Sequence, residues 1–125
     1  MQRTILVTGS TDGIGLETAR MLVSAGHLVL LHGRNPAKLE EAEQALRALP
    51  GGGQVETCIA DLSRMGDVEE LARAVKDRHA KLDVLINNAG ILRTPETVTQ
   101  DGLDVRFMVN TIAPYLLTQR LLPLM

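Results

Sequence analysis

The sequence predicts an α/β fold, a doubly wound parallel sheet of strand order 3-2-1-4 with helices on both faces. Three observations lead there. The apolar runs Ile5-Leu6-Val7, Leu28-Val29-Leu30-Leu31 and Leu82 to Ile86 are nearly continuous rather than alternating, as in strands covered on both faces. Helical patterns alternate with these runs, giving βαβαβαβα and right-handed crossovers. A glycine cluster, Gly9, Gly13 and Gly15, directly follows the first run.

Each element has its own signals. After the first strand, a helix is expected from about Gly13 to Ala25. Ile14, Ala19, Leu22 and Val23 would form its inner face and Gly26 its stop. His27 to His32 is the second strand. Asn35-Pro36 opens the second helix, Asn as N-cap and Pro at the first helical position. Leu39, Ala42, Leu46 and Leu49 fall on one stripe, with Lys38, Glu40, Glu41 and Glu43 outside it. Pro50-Gly51-Gly52-Gly53 is a connector, since no Gly-Lys-Ser/Thr follows it. Gln54 to Ala60 is the third strand. The third helix starts between Arg64 and Asp67 and runs to about His79, burying Val68, Leu71, Ala72 and Val75. Leu82 to Asn87 is the fourth strand. An irregular segment from Ala89 to Gln100 leads to a last helix expected from Asp101, its N-cap, to the chain end. Met108, Val109, Ile112, Ala113, Leu116, Leu117, Leu121 and Leu122 make that helix apolar on almost every side, so more protein is expected to cover it.

Bulk properties exclude several classes. At 125 residues the chain is one domain, long enough to bury about two-thirds of its unfolded surface. A net charge of −2 leaves no basic footprint for nucleic acid. Phe107 and Tyr115 are the whole aromatic inventory, too little for a base-stacking surface. Cys58, the single cysteine, reads as a buried reduced thiol. No leader fits before the first strand and no stretch reaches membrane-span length, so a cytoplasmic location is expected. His27, His32 and His79 have neither metal-ligand spacing nor a paired nucleophile and receive no chemistry.

Strand, glycine turn and helix together set backbone N–H groups and a helix N-terminus against a phosphate. The spacing is Gly-x-x-x-Gly-x-Gly, and Ser10, Thr11, Asp12 and Ile14 line the turn by position. The pattern Thr8-Gly9-x-x-x-Gly13-Ile14-Gly15 resembles that of the short-chain dehydrogenase/reductase family. Asn87-Asn88-Ala89-Gly90 and Asn110 inside an apolar helix match the family in the same order. The resemblance spans nearly the whole chain and implies a Rossmann-like, NAD(P)-binding domain that is incomplete relative to the family.

What the resemblance implies is residue-specific. The nucleotide would lie across the carboxyl ends of the strands, where the order reverses between the first and the fourth. Asn88, Ala89 and Gly90 would back the ribose and nicotinamide side, and Asp61-Leu62 the adenine side. Asn110 would support catalysis by binding a water. Pro114, four residues on, deprives its carbonyl of a helical partner, so a kink is expected there. After the second strand comes His32-Gly33-Arg34-Asn35, without an acid. An acid would accept from a ribose 2′-hydroxyl; Arg34 suits a 2′-phosphate, so NADP(H) is preferred over NAD(H). Asp12 argues the other way, because many NADP-preferring relatives carry a base there.

The family's reaction is hydride transfer between nicotinamide and a carbonyl or alcohol, using a serine and a Tyr-x-x-x-Lys. Four residues after Tyr115 stands Gln119, so Tyr115 reads as a packing tyrosine. The catalytic pair and serine are expected beyond Met125. Three readings stay open. The chain is the cofactor half of an NADP(H)-dependent oxidoreductase, a non-catalytic NADP-binding protein, or a truncated inactive product. In each case strand four is an open apolar edge, and self-association is expected.

Overall fold

β1 (Thr4–Val7) is the axis of the sheet in a computed structural model that describes residues 1–91 and 94–125. On one side it pairs in parallel with β2 (Leu28–Gly33), with Ile5 opposite Val29. On the other it pairs in parallel with β4 (Val84–Ile86), with Ile5 opposite Val84. β3 (Gln54–Ile59) lies outside β2, giving the expected order 3-2-1-4.

The two-residue period of the strands divides the interior. Ile5, Val7, Val29, Leu31 and Val55 point to the face covered by α1 (Gly13–Ser24) and α2 (Pro36–Arg47), against Ala19, Val23, Leu39, Ala42 and Leu46. Leu6, Leu30 and Cys58 point to the opposite face. There α3 (Met65–Arg78) supplies Val68, Leu71, Ala72 and Val75, and the C-terminal helical run supplies Met108, Ala113, Leu117 and Leu121. That run is three segments end to end: α4 (Val105–Phe107), a π-helical segment (Met108–Ile112) and α5 (Ala113–Leu121). No helix among the described residues is long and apolar enough to cross a membrane.

Several expectations are corrected. Ile14 is not on the inner face of α1 but 79% exposed, because Gly15, Ala19 and Val23 take the buried positions. The last helix begins at Val105, not at Asp101. Asp104 caps it by accepting from the Phe107 N–H at 3.0 Å, while the Asp101 carboxylate accepts from the Met65 N–H at 3.0 Å and so helps start α3. Ahead of Pro114 stands the π-helical segment, whose widened turn lets the Ala113 N–H reach the Met108 carbonyl. The buried stripe is Ala113, Leu117 and Leu121; Tyr115, 68% exposed, packs against nothing on that stripe, and Phe107 and Leu122 are exposed with it. β4 is shorter than expected, although the Asp83 N–H still donates to the Thr4 carbonyl. Of the expected irregular segment, residues 92–93 lie outside those described.

Cys58 is buried and unpaired with any disulfide partner. Burial pushes its thiol up to about 11 from an ordinary 9.0, with the Glu56 charge adding to that and Arg78 opposing it. Thiolate is the reactive form. Iodoacetamide at about pH 8 is therefore expected to leave the native chain unmodified by mass spectrometry and to label it promptly in denaturant. Fast labelling without denaturant would contradict the packing around β3.

Candidate functional site

The carboxyl ends of β1, β2 and β4 converge on the glycine turn. Thr8, the residue after β1, is buried, and its hydroxyl is the junction. Its Oγ1 accepts from the Asn88 N–H at 3.1 Å and from the Ala89 N–H at 3.0 Å. The Asn88 side chain answers in the other direction: Nδ2 donates to the carbonyls of Thr8 at 3.1 Å and Gly9 at 3.0 Å. Two motifs far apart in sequence are thus one hydrogen-bonded unit.

Glycine is required here by close approach. Gly9 has φ +62°, and a Cβ on it would lie 2.8 Å from Ala89 Cα. A Cβ on Gly15 would run into the Gly9 carbonyl oxygen and Asn88 Nδ2. Gly13 differs. Its φ is +57°, but a Cβ there would meet open space, so the outer side of the turn is clear. Above it, α1 starts without a side-chain cap and without an acid in its first turn. α2 is the contrast: Asn35 Oδ1 accepts from the Ala37 and Lys38 N–H groups and closes that N-terminus.

The sequence-predicted residues divide by the direction in which they point. Ser10 is fully buried and turned inward, its N–H donating to the His32 carbonyl at 2.9 Å and its Oγ accepting from the His32 N–H at 2.9 Å. Thr11 packs against Gly33, where a Cβ would come within 2.6 Å of its Cγ2. Asp12 and Ile14 are exposed on the outer side. Asp61 Oδ1 accepts from the Ser63 N–H at 2.9 Å and hydroxyl at 2.7 Å. Partial burial pushes its carboxyl up. The Ser63 bonds and the Arg34 and Arg64 guanidiniums outweigh that, and it ends below the ordinary 3.8. Leu62 is in the core rather than on a surface. Arg34 is exposed and close enough to act on Asp61.

Asn110 is at the far side, in the π-helical segment. Its amide pairs twice with one residue: Oδ1 accepts from the Ile91 N–H at 2.8 Å and Nδ2 donates to the Ile91 carbonyl at 2.7 Å. It thereby ties the segment after β4 to the last helical run, with Gly90 beside it.

Two residues escaped sequence reasoning. Lys38 stands on the first turn of α2 with Nζ 3.9 Å from Asp12 Oδ2. So exposed a pair adds little stability, but it sets a cation beside the one acid of the turn. Neither residue's spacing announces this. His32 is the other: Nδ1 accepts from the Gly9 N–H at 2.9 Å and Nε2 faces the Ala60 carbonyl at 2.9 Å. A polar residue closing an otherwise apolar strand was the available signal. Among the described residues no cluster of His, Cys, Asp and Glu could hold a metal ion.

Comparison with known proteins places this geometry. Residues 3–125 match the family model described as short chain dehydrogenase. Human retinol dehydrogenase 13 is 35% identical over 120 residues, which is 96% of this chain and 36% of that protein. A metagenomic short-chain oxidoreductase solved in complex with NADP superposes with a TM-score of 0.84 at 36% identity, over 98% of this chain and 56% of the other. RhlG of Pseudomonas aeruginosa, solved as an NADP active-site complex, gives a TM-score of 0.82 at 31% identity, over 98% and 47%. The chain therefore spans roughly a third to a half of the length of the proteins it matches.

Proposed function

Since this chain belongs to the short-chain dehydrogenase family, we propose that it binds NADP(H) in preference to NAD(H). It would supply the cofactor-binding half of an oxidoreductase that moves a hydride between nicotinamide and a carbonyl or alcohol. The observation that carries this reading is the pairing of an uncapped α1 N-terminus with the open outer side of Gly13. Free N–H groups and the positive end of the helix dipole suit a pyrophosphate there. Two structural relatives of similar fold were solved with NADP.

The residues present fit the group. The turn from Gly9 to Gly15 would take the pyrophosphate on backbone N–H groups. Arg34, helped by Lys38, would face the 2′-phosphate. The Lys38 ammonium offsets Asp12, which answers the objection that this acid raises. Asp61, kept ionised by Ser63 and the two arginines, would accept from the adenine amino group. Asn88, Ala89 and Gly90 would form the wall beside the ribose and nicotinamide, held by Thr8. When bound, the nicotinamide supplies the hydride chemistry. Asn110 acts through Ile91, fixing the segment that borders the ring; it is a positioning residue.

Isothermal titration of the chain with NADP⁺ and NAD⁺ tests this. Charge-assisted bonds to a phosphate contribute about 1.5–3 kcal/mol. NADP⁺ is thus expected to bind at least about tenfold more tightly than NAD⁺, and Arg34→Ala to erase most of that ratio. Equal affinities in the native chain would overturn the preference, and no binding of either would overturn the site.

A further inference from the structure

His32, next to last in β2, is only 3% exposed and is the residue to which the glycine turn is fastened. Four bonds join them, one of them from Ser10 Oγ to the His32 carbonyl at 3.3 Å. Ser10 N–H donates to the His32 carbonyl, His32 N–H donates to Ser10 Oγ, and Gly9 N–H donates to the ring at Nδ1. The two ring partners fix the tautomer. Nδ1 faces a donor and must accept; Nε2 faces the Ala60 carbonyl and must donate. An aliphatic residue in this place would leave the Gly9 N–H and the Ala60 carbonyl without these partners.

We propose that His32 is a positioning residue for the nucleotide. Its neutral imidazole would draw the Gly9 N–H inward, hold the turn in the shape that presents the N-terminus of α1, and couple that turn to the end of β3 beside Asp61. The proposal rests on the NADP(H) reading above. It makes the grip on the nucleotide dependent on the charge of a residue that never touches it. An imidazolium carries a proton on Nδ1 as well, which would oppose the Gly9 N–H donor to donor, so the turn must move.

The surrounding groups set the direction. Burial is the main effect and holds the imidazole below its ordinary 6.5; the Ala60 bond and the Asp61 charge work against it without prevailing. Asp12 on the turn, Arg34 beyond β2, and Glu56 and Cys58 on β3, the latter opposite His32, are the other titratable groups on these elements. With the native value lowered, the unfolded chain takes up the proton first as pH falls below 6.5. Stability from this group is complete above that value and is lost below it as pH falls toward the native value.

The test compares native, His32→Asn and His32→Leu chains, with NADP⁺ affinity measured from about pH 8 to about pH 5 and thermal melts confirming the fold. Asparagine places an uncharged acceptor where Nδ1 stood. Titration of the ligand's own phosphate is common to all three chains and cancels in ratios. The native chain is expected to lose about tenfold more affinity at the acid end than His32→Asn, and His32→Leu to bind about tenfold more weakly than His32→Asn at every pH. Ring nitrogen shifts of the nucleotide-free native chain at neutral pH should show a hydrogen-free Nδ1. A parallel pH dependence of native and His32→Asn, or the opposite tautomer, overturns the proposal. Equal binding by all three chains overturns this proposal alone, whereas no binding by any of them overturns the NADP(H) reading with it.

Discussion

Gly15→Ala is expected to lower the melting temperature by about 8 °C and to abolish nucleotide binding. The added methyl has no room: it meets the Gly9 carbonyl oxygen on one side and Asn88 Nδ2 on the other. Both are main-chain or tightly bonded atoms that cannot swing aside. Overpacking of this kind costs about 1–3 kcal/mol, and rigid neighbours put it at the upper end. Alanine recovers up to about 1 kcal/mol in helix propensity. The clash wins by about 2 kcal/mol, or about 4 °C for each kcal/mol in a domain of this size. Gly66→Ala is the control, because Gly66 is also helical and a Cβ there meets nothing within 4 Å. It should leave the melting temperature unchanged or raise it. If the two variants melt alike, the close contact between turn and helix is wrong.

Thr8→Val is expected to destabilise the chain by about 2–3 kcal/mol in urea unfolding. The shape is kept and the hydroxyl lost. The Ala89 N–H then has no acceptor in its half-buried position, while the Asn88 N–H retains the Ile86 carbonyl at 3.0 Å. A buried orphaned donor costs about 1–3 kcal/mol. Thr8→Ser removes only a methyl group, worth about 0.8 kcal/mol, and should keep the junction. A serine variant as damaged as the valine variant would mean that packing, not the hydroxyl, joins β1 to β4.

The fold was legible because its signals are local and redundant. Apolar runs mark each strand, Asn35-Pro36 opens α2 as expected, and Val68, Leu71, Ala72 and Val75 are all buried on α3. The family resemblance and the strand order hold for the same reason. What failed depends on partners far away in the chain. Asp101 has the chemistry of a helix cap and serves as one, but for α3 rather than for its own helix. Tyr115 and Ile14 are apolar in bulk, yet the buried stripe of each helix passes them by. Pro114 announced an interrupted hydrogen-bond ladder, but not that the interruption takes the form of a π-helical turn. The two ring contacts of His32, to Gly9 and Ala60, are ones that no spacing along the sequence displays.

The bond from Ala89 to Thr8 has a consequence for how the molecule assembles. The two residues are 81 positions apart, whereas the His32 anchor reaches Gly9 across only 23. Closing a long loop costs more entropy than closing a short one, and non-local pairings form late. β1, β2 and the glycine turn can therefore meet early, tethered from below by the histidine. The Asn88 lock can close only after β4 has docked. During synthesis from the N-terminus, the nucleotide platform would exist for a time with its floor in place and its far wall missing. Ligand added to a growing chain would then select for the arrival of β4 rather than for the formation of the turn.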